Sequence, residues 1–262
     1  MLHIHNGQLR GYYWVVIPAY NEAATVRDVA MRARQHCFHV IVVDDGSTDD
    51  TVGALAGLDV TVLRNERNLG KAGSLWRGFQ YVLAQGAQGV ITLDADGQHA
   101  PEEIPLFLAR ASADPAVFLV GARRRDQRQV SYWRYGANRI ADFWIGWAAG
   151  QMIEDSQSGF RLYPAALLRT VELPHDRSRS FVFESEILIE AARRGFASQT
   201  VQVTVAPRSG PRPSHFRPVI DVLRISKMVA WKILSRSFYP QGLHATRASS
   251  SRKRSSGSHA LL

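Results

Sequence analysis

The chain has 262 residues, of which 45% are hydrophobic, and 32 Lys and Arg against 23 Asp and Glu give a net charge of +9. That hydrophobic share excludes wholesale disorder and allows one large domain or two small ones. The single cysteine, Cys37, excludes a disulfide framework and a cysteine-ligated metal site. The charge points to an anionic partner (a nucleotide, a phospholipid surface or nucleic acid) or simply reflects the basic "SRKR" of the tail.

The start, "MLHIHNGQLRGYY", lacks the apolar segment of a signal peptide, and no apolar run reaches the roughly 18–20 residues that span a bilayer. A cytoplasmic protein, or one peripheral on the cytoplasmic face of a membrane, is expected. "YYWVVIPAY" reads as a buried strand, and "NEAATVRDVAMRARQH" as a helix with Asn21 as its cap and Glu22 in its first turn. Val40 to Val43 form a second strand that stops at Asp44-Asp45-Gly46. "VTVLR" is a third, and "KAGSLWRGFQYVLAQGA" is a helix with Leu75, Phe79 and Val82 on one side. Gly89 to Leu93 make a fourth strand, running into Asp94-Ala95-Asp96. Ala116 to Arg125 make a fifth, followed by the helical "YWRYGANRIADFWIGWAAGQMI". A turn, a short strand and a helix fill "EDSQSGFRLYPAALLRTV"; "FVFESEILIEAARRGF" is a helix closed by Gly195, and "ASQTVQVTVAPR" is the last strand.

Strands alternating with helices predict βαβ units and a mostly parallel central sheet flanked by helices. Ligands of such sheets bind beyond the carboxyl ends of the strands. Three strands end in polar clusters, at 18–22, 44–47 and 94–96, and these are expected to converge on one edge. Asp94 and Asp96 can reach one hard cation together, but an Asp-x-Asp is also common in turns. Their partner is a metal ion, a cation of the same chain, or water. Asp44-Asp45 suits a turn and helix cap, or a carboxylate binding a nucleobase or ribose. Arg123 ends a strand, and Arg208, Arg212 and His215 lie in the Gly/Pro-rich "PRSGPRPSHF". Such cations stabilise a leaving diphosphate, although a lone Arg is more often a solvated surface charge.

"VVIPAYNE", "VVDDGSTDDT", "NLGKAGSLWRGF", "DADGQH" and "DSQSGFRLY" occur in this order. Together they resemble family 2 glycosyltransferases of the GT-A fold, most closely the dolichyl-phosphate or polyprenyl-phosphate mannose and glucose synthases. The resemblance spans roughly residues 12 to 216 and implies a role for each matching position. Pro18, Tyr20 and Glu22 match the first nucleotide-contacting segment, and Val43 and Asp45 the residues that hold base and ribose. Asp94, Ala95 and Asp96, with Gln98 beside them, match the motif for the metal, Mg²⁺ or Mn²⁺, and the diphosphate. Arg123 matches an arginine near the nucleotide-sugar. Arg208 and His215 stand where those synthases carry an Arg and a Lys, but here Pro213-Ser214-His215 replaces Gly-x-Ser-Lys.

The implied reaction is inverting, metal-dependent transfer of a hexose from a nucleotide-sugar, of the GDP-mannose or UDP-glucose type, to a polyprenyl phosphate or related lipid acceptor. A phosphate acceptor needs no general base. A hydroxyl of a glycan or glycolipid does, and Asp155 is the candidate, ahead of Glu184. Catalysis is thus expected from Asp96, Asp155 and Arg208. A silent nucleotide-sugar-binding module is a second reading. Nucleic-acid binding is not expected, because the basic residues are dispersed and no such motif occurs.

The catalytic domain is expected over 1–216. An amphipathic helix follows over 217–240, with Val219, Val222, Leu223, Ile225, Val229 and Ile233 on its apolar side and Asp221, Arg224, Lys232, Ser235 and Arg236 opposite. It either packs on the domain or lies in a membrane interface with Trp231 near the headgroups. Residues 241–262 form a basic, Ser-rich tail expected to be disordered. Trp133, Trp144 and Trp147 suit either a core or an apolar acceptor groove.

Overall fold

The computed structural model describes residues 12–123, 132–179, 182–206, 218–236 and 238–246. In chain order the elements are β1 (Tyr13–Ala19), α1 (Val26–His36), β2 (His39–Asp44), β3 (Thr61–Arg64), α2 (Gly70–Ala84), β4 (Gly89–Thr92), α3 (Ile104–Ala113), β5 (Phe118–Arg123), α4 (Tyr132–Ala149), β6 (Arg161–Pro164), α5 (Ala165–Thr170), α6 (Val182–Arg193), β7 (Ser198–Val203) and α7 (Pro218–Leu234).

The seven strands form one sheet in the order β3-β2-β1-β4-β6-β5-β7. It is parallel except for β6, which runs against both β4 and β5. Side chains alternate across it. Val16 points into a core with Phe79, Tyr163 and Phe183. Val15 and Ile17 point into a second core with Ile91, Phe107 and Phe160. Burial on both faces explains why β1, β2 and β4 are continuous apolar runs rather than alternating ones. Each fully buried Phe or Ile contributes about 1.5–3 kcal/mol. Leu75, Phe79 and Val82 of α2 are buried as expected. Gly195 (φ +86°) closes the chain after α6.

Three expectations change. Asn21 does not cap α1, which begins only at Val26. Asn21 is left-handed (φ 56°), and its side chain is drawn away to the loop after β2. The polarity of α7 differs as well. Ile225, Met228, Val229 and Ile233 are buried, but Val222 and Leu223 are exposed. Lys232, assigned to the solvent side, instead reaches Glu186 at 3.1 Å and Glu190 at 2.6 Å on α6. The tail is also ordered beyond Gln241: residues 240–246 are helical. Thr246 there is buried, and the Trp147 indole N–H donates to the Tyr239 carbonyl at 3.1 Å. Packing onto α4 supplies the ordering that local composition does not.

Candidate active site

β2, β1 and β4 are adjacent and parallel, so their carboxyl ends lie side by side. Pro18 pairs with Val43, and the Leu93 N–H donates to the Val16 carbonyl at 3.2 Å. Because β6 is reversed, it begins where β4 ends, with Arg161 opposite Thr92. β5 ends on the same edge, with Arg123 opposite Val203. The three expected clusters therefore converge, and the 155–161 segment joins them.

Two loops build the first wall. The Asn21 amide oxygen accepts from the backbone N–H of Thr48 (2.8 Å) and Asp49 (3.3 Å). The Asn21 N–H donates to Ser47 Oγ and the Glu22 N–H to Thr51 Oγ1, both at 2.9 Å. Gly46 (φ +69°) turns the chain where a Cβ would stand 2.8 Å from the Arg67 carbonyl carbon. Asp45 is buried and spends both oxygens on the chain itself. Its Oδ1 accepts from Leu69 N and Asn65 Nδ2, and its Oδ2 from Gly70 N, each at 2.8 Å. A carboxylate on the first N–H groups of α2 is favoured by capping and by the helix dipole. Any contact of Asp45 with a ribose or base comes on top of that structural role. Asp44 forms an ion pair with Arg64 at 3.3 Å.

The acid pair has a partner in the chain. Lys71, on the first turn of α2, places Nζ 2.5 Å from Asp94 Oδ1 and 3.1 Å from Glu184 Oε1. Burial by itself would lower the pKa of the Lys71 ammonium, but the two carboxylates outweigh it and hold the pKa above its ordinary value. Burial likewise works to raise Asp94, and Lys71 and His99 overcome it, so Asp94 titrates below the usual carboxylate range. Asp96 Oδ1 accepts from Gln98 N at 3.1 Å. The Gln98 carbonyl accepts from Ala206 N at 2.9 Å, and His99 bridges to Val205. The acid-pair loop is thus strapped to the segment leading into 207–217. Arg208, Arg212 and His215 lie outside the described residues.

Among the described residues no group of three or more His, Cys, Asp or Glu is arranged to hold a metal. Asp94, Asp96 and Gln98 are the residues that would hold such an ion, with two carboxylates between them. That fits Mg²⁺ or Mn²⁺, which take one or two carboxylates and complete their shell with water and substrate phosphates.

A second ion pair, Arg123 with Asp155, completes the described part of the site. Asp155 is left-handed (φ 55°) and faces Arg123. Its Oδ2 accepts from Arg123 Nε at 2.6 Å and from Arg123 N at 3.0 Å, and its Oδ1 accepts from Arg123 Nη2 at 2.6 Å. A fork-on-carboxylate contact aims the acid at the guanidinium. Both acids expected as candidate bases are thus engaged by cations of the chain, Asp155 by Arg123 and Glu184 by Lys71. Asp142 of α4 fixes the neighbouring turn, accepting from Ser156 N (2.9 Å) and Ser156 Oγ (2.6 Å).

Two residues escape a reading of local sequence. Arg161 is fully buried and donates to three carbonyls, of Ser158 (2.8 Å), Ser156 (2.7 Å) and Glu184 (2.5 Å), joining the Asp155 turn to α6. Lys71 sits at a helix N-terminus, where a cation is disfavoured by the dipole, and that local misfit is the signal of its distant acids. The Trp-rich helix is neither plain core nor an enclosed groove. Trp144 and Trp147 stack at 5.1 Å beside Phe143; Trp147 packs on the core, while Trp144 is exposed. The Trp133 side chain lies outside the described residues.

The sequence profile of glycosyl transferase family 2 matches residues 14–171. The polyprenol monophosphomannose synthase of Mycolicibacterium smegmatis is 30% identical over 205 residues, 74% of this chain and 77% of that one. The UDP-N-acetylglucosamine–dolichyl-phosphate N-acetylglucosaminyltransferase of Methanococcus voltae is 27% identical over 201 residues, 69% and 80% of the two chains. The undecaprenyl-phosphate 4-deoxy-4-formamido-L-arabinose transferase of Edwardsiella ictaluri is 30% identical over 203 residues, 73% of this chain and 58% of the longer relative. Among solved structures, the glucosyl-3-phosphoglycerate synthase of Mycobacterium tuberculosis, crystallised with Mn²⁺, UDP and glucosyl-3-phosphoglycerate, superposes with a TM-score of 0.62. It is 22% identical over 90% of this chain and 85% of that one, a similarity of fold.

Proposed function

The chain belongs to glycosyl transferase family 2, and from that premise we propose that this hexosyltransferase moves a sugar from a nucleotide-sugar to the phosphate of a polyprenyl-type lipid. The observation that carries the acceptor reading is the state of the two candidate bases. Asp155 is bound by Arg123 and Glu184 by Lys71. A hydroxyl acceptor must lose a proton to a base; a phosphate arrives as an anion and needs none. The three relatives support the same choice, since their names differ in the sugar yet share a prenyl-type lipid.

The nucleoside would lie against Pro18, Tyr20, Glu22, Val43 and Asp45, with the diphosphate over Asp94, Ala95, Asp96 and Gln98. Mg²⁺ or Mn²⁺ bound there supplies charge to the departing diphosphate. Asp96 would meet that group with Gln98 N bonded to its Oδ1, and Lys71 adds a positive charge beside Asp94. Arg123, oriented by Asp155, meets the incoming phosphate or the sugar. Arg208 and His215, with Arg212 between them in the chain, are the further cations that the family resemblance assigns to the phosphates. An acceptor phosphate oxygen forms the new bond at the anomeric carbon as the bond to the diphosphate oxygen breaks, so a single displacement inverts that centre.

Transfer is to be measured with GDP-mannose, UDP-glucose and UDP-N-acetylglucosamine, each with Mg²⁺ or Mn²⁺ and a prenyl phosphate acceptor. One donor yielding a glycosyl phosphate lipid is expected. Turnover only with hydroxyl acceptors, or with none, overturns the reading. Unchanged transfer by Asp96→Ala removes the metal role.

A further inference from the structure

α7 has two faces of different chemistry. Its inner face packs on the domain through Ile225, Met228, Val229 and Ile233, and Lys232 locks it to Glu186 and Glu190. The outer face of such a surface helix is normally polar. Here Leu223 is 64% exposed, Trp231 69% and Leu234 54%. On a 3.6-residue period Leu223, Lys227, Ala230, Trp231 and Leu234 share that outer side, with Arg224 at its margin. No Asp or Glu follows Asp221 in the chain, whereas Arg252, Lys253 and Arg254 extend the positive charge into the tail.

A second apolar patch adjoins the end of this helix. Phe143 and Trp144 are exposed on α4 beside Trp147, and Trp147 is tied to the Tyr239 carbonyl, next to the exposed Phe238. α4 also carries Asp142, which holds the Ser156 turn beside Asp155. The aromatic patch therefore starts one residue from the group that shapes the site. No helix among the described residues is long and apolar enough to cross a membrane.

We infer that the outer face of α7, continued by the Phe143–Trp144 patch of α4, docks the enzyme flat on an anionic lipid bilayer. This deepens the acceptor reading above and rests on it for its purpose. Leucine and tryptophan enter the headgroup boundary while Arg224 and Lys227 meet lipid phosphates, the pattern of an interfacial amphipathic helix. A helix docked through its other face can lie on the bilayer without leaving the domain, and the site turn then stands near the surface from which a lipid phosphate rises.

The test is flotation of the full chain with vesicles of neutral phosphatidylcholine, alone or mixed with anionic phosphatidylglycerol, at low and high salt. Binding to the anionic vesicles, weakened by salt, is expected. Trp231→Ser with Leu234→Ser, and separately Lys227→Glu, should each lower it about tenfold. These side chains are exposed, so thermal stability should match that of the parent. Variants that bind as the parent does overturn the proposal. So does a dimer in solution that Trp231→Ser dissociates while vesicle binding is absent. Transfer to a short, water-soluble prenyl phosphate separates the two readings. The variants should retain it; if the parent lacks it yet loses vesicle binding on substitution, the docking face stands and the acceptor assignment falls.

Discussion

Lys71 Nζ lies 2.5 Å from Asp94 Oδ1, so the first acid of the Asp-x-Asp pair carries its own cation. The same ammonium serves Glu184 at 3.1 Å. Lys71→Met would leave two carboxylates facing each other. The expected cost is about 2–3 kcal/mol, below that of a fully buried broken pair because the Asp94 side chain is 30% exposed. That corresponds to a fall in Tm of roughly 5–10 °C. Added Mg²⁺ should raise the Tm of the variant more than that of the parent, since the acids then lack an internal cation. Equal shifts in a thermal melt would refute this competition.

Gly159 touches the same carboxylate from the other side. A Cβ there would stand 2.8 Å from Asp94 Cγ, and Thr92 Oγ1 pins the Gly159 carbonyl at 2.7 Å, so the backbone cannot retreat. Gly159→Ala should push Asp94 out of line and slow transfer about 100-fold, as small misplacements do. Circular dichroism should stay unchanged. A variant of normal rate would show that the position of Asp94 is not critical.

Asp155→Asn separates positioning from base catalysis. If Asp155 only orients Arg123, transfer slows by roughly 10–100-fold and the pH–rate profile keeps its shape. Disappearance of the acid limb of that profile would restore Asp155 as a base and, with it, a hydroxyl acceptor.

Glu190 anchors α7 through Lys232 at 2.6 Å, with Arg193 and Arg194 also upon it. Burial pushes its carboxyl up, but Lys232 and Arg194 outweigh burial and hold its pKa down at about 2, against an ordinary 4.5. A carboxyl with a lower pKa folded than unfolded stabilises the fold above the unfolded value, and that contribution is lost as pH falls toward the folded one. Glu190→Gln should therefore be less stable than the parent at pH 7, by about 1–3 kcal/mol. The gap should close between about pH 5 and pH 2. Urea titrations across that range check it; a gap independent of pH would assign the loss to packing instead.

Much of this molecule is legible along the chain. Continuous apolar runs such as Tyr13–Ala19 and His39–Asp44 can only be strands buried on both faces, and helical periods between them dictate parallel pairing. Polar clusters at the ends of such strands must share an edge, which places Pro18, Asp45 and Asp94 together before any coordinates exist. The ordered motifs also identify the family. These features are local, repeating every two or 3.6 residues, and so are written in short windows of sequence.

Only the tertiary structure decides which charges meet. Arg123 and Asp155 are 32 residues apart and face each other because reversed β6 brings its leading turn to the end of β5. Nothing in a short window marks Asp45 as the cap of α2, or Lys232 as an anchor rather than a solvent-facing lysine. Each pairing depends on strand order and helix docking, where burial makes an unpaired charge costly and so selects the partner.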